Sequence, residues 1–129
     1  MARKSIRCKL VTPTAAVVDG QVAYASVPLH DGLMGFLPGR APILARLGMG
    51  ELRLDFADTD KGQGGSDAYF VDGGFLKMAD DNLTILAENA IPSENLTMAA
   101  AEAEMAKARN DQERQRARVK MQLVKTRGI

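Results

Sequence analysis

The sequence pattern of this chain changes once, at Ile91-Pro92. Before this point, short segments alternate apolar with polar residues and are separated by turns that contain glycine and aspartate. After it, six alanines occur between residues 99 and 108, and no glycine appears before Gly128. Strict alternation is typical of half-buried β-strands, whereas alanine is the strongest helix former. The sequence therefore predicts a β-domain at residues 1–90 and a helical domain at residues 91–129.

Within the β-domain, the segment SIRCKLV alternates most clearly, because single basic residues separate Ile6, Cys8 and Leu10. Asp19-Gly20 predicts a hairpin turn after it. MGELRLDF, AYFVDGGFLKM and NLTILA continue the pattern, and the second of these is interpreted as two strands around residues 72–74. The glycine-rich stretch at residues 61–67 is predicted to be an exposed hairpin loop. Short strands at this spacing indicate an all-β sandwich or a barrel.

The helical domain has recognisable start signals. Ser93 or Asn95 is expected to cap the first helix. Asn110 with Glu113 resembles a capping box and predicts a second helix over residues 111–126, ended by Gly128. That helix carries one narrow apolar stripe, formed by Ala117, Met121 and Val124. The pattern predicts either two helices folded back on each other or one bent helix.

Composition excludes several classes of function. Seventeen basic and sixteen acidic residues leave a net charge of +1, so no general attraction to DNA or to a membrane follows. Residues 100–129 are an exception, with eight basic and four acidic groups; a solvated helix face is the simpler explanation and a partner surface the alternative. This basic segment contains no aromatic residue for base stacking, so we expect no nucleic-acid binding.

Cys8 is the only cysteine, so one chain can form no internal disulfide, and a reducing, intracellular compartment fits. The sequence has no apolar run of about 18 residues and no charged-then-apolar leader. We therefore expect neither a membrane span nor a secretory signal.

Catalytic and metal-binding chemistry find little support. His30-Asp31 could supply a general base, and a small hydrolase built around His30 is one alternative, but no nucleophile motif accompanies the pair. Asp80 and Asp81 are interpreted as turn formers, since the spacing of a calcium loop is missing. The glycines between 62 and 65 do not join a strand to a helix, which argues against a phosphate-binding loop. We expect no catalytic, metal or cofactor site.

The segment GFLPGRAP, residues 35–42, raises a different question. Two glycines and two prolines exclude a helix here and predict a defined loop. The segment nevertheless carries Phe36 and Leu37, with Ile43 directly after it, and such apolar groups need to be covered by something.

Three segments around this loop resemble one family. VTPTAAVVDGQVAYASVP, DGLMGFLPGRAPILARLGMGELRL and YFVDGGFLKMADDNLTILAENA occur in this order, followed by the alanine-rich segment. Together they resemble the epsilon subunit of bacterial F-type ATP synthases from about residue 6 to residue 110. The family pattern G-x-x-P-G-H-A-P-L-L is matched at Gly35, Pro38-Gly39, Ala41-Pro42 and Leu44. The resemblance implies a ten-stranded β-sandwich followed by an antiparallel two-helix hairpin.

The resemblance also implies a function. Such a chain is a non-catalytic rotor subunit of the central stalk that couples the gamma subunit to the c-ring during proton-driven ATP synthesis. Its C-terminal helices contact the alpha and beta subunits transiently and restrain ATP hydrolysis. It is peripheral, at the cytoplasmic face of the bacterial inner membrane. The alternative is a free-standing β-sandwich module that binds a ligand or acts as an adaptor and dimerises through the helices.

The resemblance implies a set of site residues, each taken from the position of this sequence that matches the family. The loop expected to face the c-ring comprises His30, Asp31, Gly32, Leu33 and Met34. The segment expected to contact gamma comprises Pro38, Gly39, Arg40, Ala41 and Pro42. The residues expected to approach the beta subunit are Arg114, Arg116, Arg118 and Lys120, which divide into two helix faces because residues four apart are neighbours.

Three departures from the family pattern stand out. Arg40 replaces the usual histidine, so a permanent charge stands in place of a titratable one. Some members bind ATP through an I/L-D-x-x-R-A motif, but here Thr97 replaces the aspartate and Ala100 the arginine, and we expect no ATP cofactor by that route. The second helix is also short, at about 24 Å for residues 111–126, which limits its reach.

Overall fold

The computed structural model describes residues 5–57 and 64–127 and contains seven strands and two α-helices among them. The strands are β1 (Ile6–Val11), β2 (Ala16–Leu29), β3 (Gly32–Phe36), β4 (Ile43–Arg46), β5 (Met49–Phe56), β6 (Ser66–Ala79) and β7 (Asn82–Pro92). The helices are α1 (Met98–Lys107) and α2 (Asp111–Arg127). Residues 61–63 of the loop predicted at residues 61–67, and Gly128, lie outside the described residues, while Ser66 and Asp67 already belong to β6.

The strands form one sheet that closes on itself. They pair in the order β1-β7-β6-β5-β2-β3, β4 pairs with β6, and β1 also pairs with β2. Cys8 lies opposite Leu83 in the parallel pair with β7 and opposite Gly20 in the antiparallel pair with β2, which closes the sheet. The two layers of a β-sandwich are therefore continuous with each other, and the core lies between them. The hairpin turn predicted at Asp19-Gly20 is wrong, because both residues lie inside β2.

Residues 5–57 and 64–127 form seven strands, and the expected count of ten is not confirmed. The difference arises because long strands change neighbours along their length. β2 pairs with β1 over residues 16–22 and with β5 and β3 over residues 22–29. β6 pairs with β5 over residues 66–72 and with β4 over residues 75–78. The two strands expected around residues 72–74 are thus one continuous strand.

Two glycines make the change of neighbours in β6 possible. Gly73 and Gly74 have φ values of 73° and 120°, a region that other residues rarely adopt. A Cβ atom on Gly74 would also overlap the carbonyl oxygen of Leu86 on β7. The close approach of β6 and β7 at this bend therefore requires glycine.

The alternation predicted from the sequence is confirmed in the core. Ile6, Cys8 and Leu10 have no exposed surface, and the intervening Arg7 and Lys9 point to solvent. The main core cluster draws buried residues from six of these strands, and β4 adds the half-buried Ile43 and Ala45. Its large, fully buried members include Phe36, Leu52, Leu54, Leu76, Met78, Leu83 and Ile85.

The helical domain consists of two helices, not one bent helix, because Ala108 has the extended conformation (φ −63°, ψ 132°) at the end of α1. The expectation that Ser93 or Asn95 caps α1 is wrong: both lie in a 3-10 turn, and the cap is Thr97, whose Oγ1 accepts a hydrogen bond from the Ala100 N–H at 3.2 Å. Asn110 caps α2 as predicted, accepting from the Glu113 N–H at 2.9 Å. Glu113 in turn accepts from the N–H of Arg109.

Candidate partner-binding surfaces

The predicted c-ring-facing residues form the tip of the β2–β3 hairpin. Leu29 pairs with Gly32, so His30 and Asp31 make the turn, and the His30 N–H donates to the Arg46 carbonyl oxygen at 2.9 Å. All residues from 30 to 33 are exposed, and Leu33 keeps 73% of its surface accessible. The sequence thus places a large apolar side chain on a tip held against the end of β4.

The loop at residues 37–42 is anchored at both sides of its Pro-Gly pair. Phe36, just before it, is fully buried in the core, and Ile43 after it is half-buried. The Gly39 N–H donates to the Asp81 carboxylate at 2.7 Å, which ties the loop to the β6–β7 turn. The Arg40 guanidinium lies 5.3 Å from the centre of the Phe36 ring. The sandwich therefore covers Phe36 fully and Ile43 in part, while Leu37 stays 58% exposed.

An exposed apolar face, which sequence reasoning did not identify as a surface, adjoins this loop. It consists of Leu44, Phe75 and Leu86, which are 74%, 55% and 52% exposed. Phe75 lies directly opposite Leu86 across β6 and β7, and Leu44 lies on β4, which pairs with the same part of β6. Their strand neighbours Leu76 and Ile85 are buried, so the three side chains point outward. The signal in the sequence was Phe75 beside Leu76, since one of two adjacent strand residues must point out.

Shallow cavities flank the apolar face on both sides. A 320 Å³ cavity is lined by Pro42, Ile43 and Leu44 together with residues 77–79 of β6. A 310 Å³ cavity is lined by Val11, Pro13, Phe75 and Leu86 among others. Their apolar linings extend the face beyond its three central residues, from the loop at 37–42 to the end of β1.

The four basic residues predicted to approach a beta subunit lie on two faces of α2. Arg116 and Lys120 point towards the sandwich: Arg116 Nε donates to Asp72 Oδ2 at 2.5 Å, and Lys120 Nζ donates to Glu104 Oε1 at 2.6 Å. Arg114 and Arg118 are exposed, and their guanidinium groups donate to neighbours on the same helix, Asp111 and Gln115. The structure therefore brings these residues together in pairs, as their spacing predicts.

A 660 Å³ cavity lies where the two helices meet β7. It is lined by Asn89, Ile91, Ala100, Ala103, Glu104, Lys107, Arg109, Glu113, Arg116 and Lys120. Two of its four cations, Arg116 and Lys120, are already paired with carboxylates, and the Thr97 hydroxyl at the start of α1 is occupied as the helix cap.

The remaining candidate groups sit apart from one another. Burial raises the pKa of the Cys8 thiol to about 12, with a smaller contribution from Asp19, so this thiol stays protonated and unreactive. Among residues 5–57 and 64–127, no group of three or more His, Cys, Asp or Glu side chains could hold a metal ion. In the same part of the chain, no helix is long and apolar enough to cross a membrane.

Comparison of the sequence with known proteins identifies relatives of this chain. Residues 5–93 match the family model described as ATP synthase, Delta/Epsilon chain, beta-sandwich domain. The ATP synthase epsilon chain of Rhodopirellula baltica is 42% identical over 88 residues, which cover 68% of this chain and 64% of that relative. The ATP synthase epsilon chain of Nitratidesulfovibrio vulgaris strain DP4 is 33% identical over 117 residues, covering 91% of this chain and 80% of the relative.

Solved structures show the same fold. A chain of the Euglena gracilis mitochondrial ATP synthase superimposes with a TM-score of 0.69 at 19% identity, covering 97% of this chain and 82% of that one. A chain of the Tetrahymena thermophila mitochondrial ATP synthase, in a structure of its central stalk and c-ring, gives a TM-score of 0.63 at 14% identity, with 100% of both chains covered.

Proposed function

This chain belongs to the ATP synthase epsilon chain family, and on that premise we propose that it is a non-catalytic rotor subunit of the central stalk, joining gamma to the c-ring. The observation that carries the proposal is the apolar face on an otherwise well-packed sandwich. Exposed apolar groups grouped on one surface, with a polar surround, are typical of a protein–protein interface. A rotor subunit needs such a surface because it must stay attached to its neighbour while torque is applied.

We assign the apolar face, with residues 38–42 at its border, to the contact with gamma. Leu44, Phe75 and Leu86 supply large side chains on three adjacent strands, and the anchored Pro-Gly loop adds a rigid edge beside them. A rigid backbone lowers the entropy lost on binding, and large apolar side chains supply the surface that is buried. This arrangement supports the predicted gamma segment and extends it by three residues.

The alternative function, a free-standing module that dimerises through its helices, is less well supported. In that arrangement the inner face of α2 would meet a second chain. Here the same face packs on the chain's own sandwich through Arg116 and Lys120. The hydrolase alternative has equally little support, because His30 and Asp31 lie exposed on a turn and outside the cavities described.

The hairpin tip at residues 30–34 is assigned to the c-ring. We expect Leu33→Cys, carrying a maleimide-linked photocrosslinker, to form a covalent product with the c-ring in membranes that contain the assembled complex. The wild-type chain is the matched control, because its buried Cys8 has a pKa of about 12 and should not take the label. Crosslinks from Leu33→Cys to alpha or beta alone would contradict the assignment, and with it the proposed orientation of the subunit.

We place the chain at the cytoplasmic face of the membrane, held there by its partners. The support for this location is family membership together with the apolar face, which offers an attachment to protein.

ATP is not proposed as a cofactor. We expect calorimetry on the isolated chain to give an affinity at least about a hundredfold weaker than that of the double variant Thr97→Asp/Ala100→Arg, because each charged partner restored contributes about 1.5–3 kcal/mol. Aspartate is also a good helix cap, so α1 should persist in that variant. Micromolar binding by the wild-type chain would contradict this expectation and would direct attention to Lys107 and Arg109, which line the cavity.

Restraint of ATP hydrolysis is the second function we propose, and it depends on the helical domain. With α2 packed on the sandwich, Arg114 and Arg118 are exposed, Arg116 is partly exposed but paired with Asp72, and Lys120 is buried. Arg116 and Lys120 become available only when α2 leaves the sandwich. Strong restraint therefore requires the helices to detach, after which the basic charge of residues 100–129 can act on an acidic partner surface.

A further inference from the structure

The outer side of β6 carries two buried residues that the main core does not use. Tyr69 and Val71 point into the core cluster, so Phe70 and Asp72 point outward on the same strand. Phe70 nevertheless has no exposed surface and Asp72 only 7%. Something must therefore cover both side chains, and the contacts of α2 identify what it is.

Arg116 and Lys120 of α2 each contact one of these two residues. Arg116 bonds to Asp72, and the Lys120 ammonium lies 5.2 Å from the centre of the Phe70 ring. Residues two apart on a strand are separated by about 6.6 Å and residues four apart on a helix by about 6 Å, so the spacings agree. α2 and β6 are thus joined by two neighbouring contacts, because the two pairs of residues have nearly the same spacing.

Each cation in this contact already has an anionic partner within the chain. Asp72 neutralises Arg116, and Glu104 of α1 neutralises Lys120, which is only 8% exposed. Through Glu104 the contact includes both helices. A buried ion pair contributes little over an apolar pair of the same shape, but removing one member leaves the other charge buried and uncompensated.

We propose that Phe70, Asp72, Arg116 and Lys120 form an intrachain latch that holds the helical domain on the sandwich without a bound ligand. A protein carboxylate, Asp72, supplies the negative charge that Arg116 requires at the edge of the 660 Å³ cavity. The docked state of the helices is consequently a property of the chain itself. Loss of either member of the Asp72–Arg116 pair releases α2 and exposes Phe70.

Hydrogen exchange of the full chain, followed by mass spectrometry on peptides of α2 and of the sandwich, tests the latch. We expect Arg116→Gln and Asp72→Asn each to speed exchange in α2 at least about tenfold, since each leaves an unpaired charge at the contact. Arg118→Gln is the matched control: it removes the same charge from the exposed face of the same helix and should change exchange less than about twofold. The double variant Asp72→Asn/Arg116→Gln should exchange no faster than the single variants, because the two residues act on each other.

Three results would overturn the latch. The first is equal exchange in Arg116→Gln and Arg118→Gln. The second is a parallel rise in exchange in β1 and β5, which would mean that the pair supports the whole fold and not the docking of the helices. The third is a tenfold slowing of α2 exchange in the wild-type chain on addition of Mg-ATP, which would mean that docking depends on a ligand after all.

Discussion

Replacing Gly74 by alanine is expected to lower the free energy of unfolding by about 3 kcal/mol or more, or to prevent folding. Two costs combine at this residue. Its φ of 120° is strained for any side chain, and the new Cβ would overlap the Leu86 carbonyl oxygen in the backbone of β7. Backbone cannot move aside as a flexible side chain can, so the β6–β7 pairing would have to open at the bend. Urea denaturation followed by circular dichroism measures the loss.

Gly39→Ala is the matched control for this substitution. Gly39 also has a positive φ, of 85°, but nothing lies within 4 Å of the position a Cβ would take. Gly39→Ala should therefore lower the free energy of unfolding by about 1 kcal/mol, from backbone strain alone. If the two variants unfold at the same urea concentration, the close approach of β6 to β7 contributes nothing, and the bend does not require glycine for the reason given.

Placing charges on the apolar face should abolish binding to gamma. In the double variant Leu44→Glu/Phe75→Glu, two carboxylates would lose their hydration against an apolar partner, and we expect gamma binding to weaken at least about a hundredfold. Both side chains are more than half exposed in the chain alone, so the melting temperature should change little. Binding is measured with purified gamma, or with a soluble complex of gamma, alpha and beta.

Leu33→Glu controls for the general effect of adding charge to an exposed leucine. Leu33 is as exposed as Leu44 but lies at the hairpin tip assigned to the c-ring. It should leave gamma binding intact and reduce attachment to the c-ring. If Leu33→Glu blocks gamma while the double variant does not, the two surfaces have been assigned the wrong way round.

Local patterns in the sequence were enough to predict the β-domain, the helical domain and most of the inward-facing residues. Alternation identified Ile6, Cys8 and Leu10 correctly because one side of β1 faces the core and the other faces solvent. The capping residue Asn110 was predictable because capping depends only on residues three positions apart. By residue type, Ser93 and Asn95 were equally plausible caps. The path of the chain after β7, which first makes a 3-10 turn at residues 93–95, places Thr97 at the cap position.

Features that depend on contacts between distant segments could not be predicted in this way. By local sequence rules, Gly73 and Gly74 predict a turn. The pairing of β6 with β7 nevertheless continues past them, so the two segments form one strand. Phe70 and Asp72 look like an ordinary outward pair until α2 is placed over them. The c-ring, gamma and beta contacts of the predicted site residues remain predictions, since they concern surfaces whose occupants are other chains.

The parallel pairing of β1 with β7 has a consequence for how the chain is made. β1 needs β2 on one side and β7 on the other, and its pairing with β7 runs from Asn82 to Leu86. The ribosome must therefore release about 80 residues after β1 before that strand can complete its hydrogen bonds, and pairings this distant in sequence form slowly. During synthesis, the backbone N–H and C=O groups on the β7 side of β1 stay unpaired, so this edge can pair with another chain until β7 emerges.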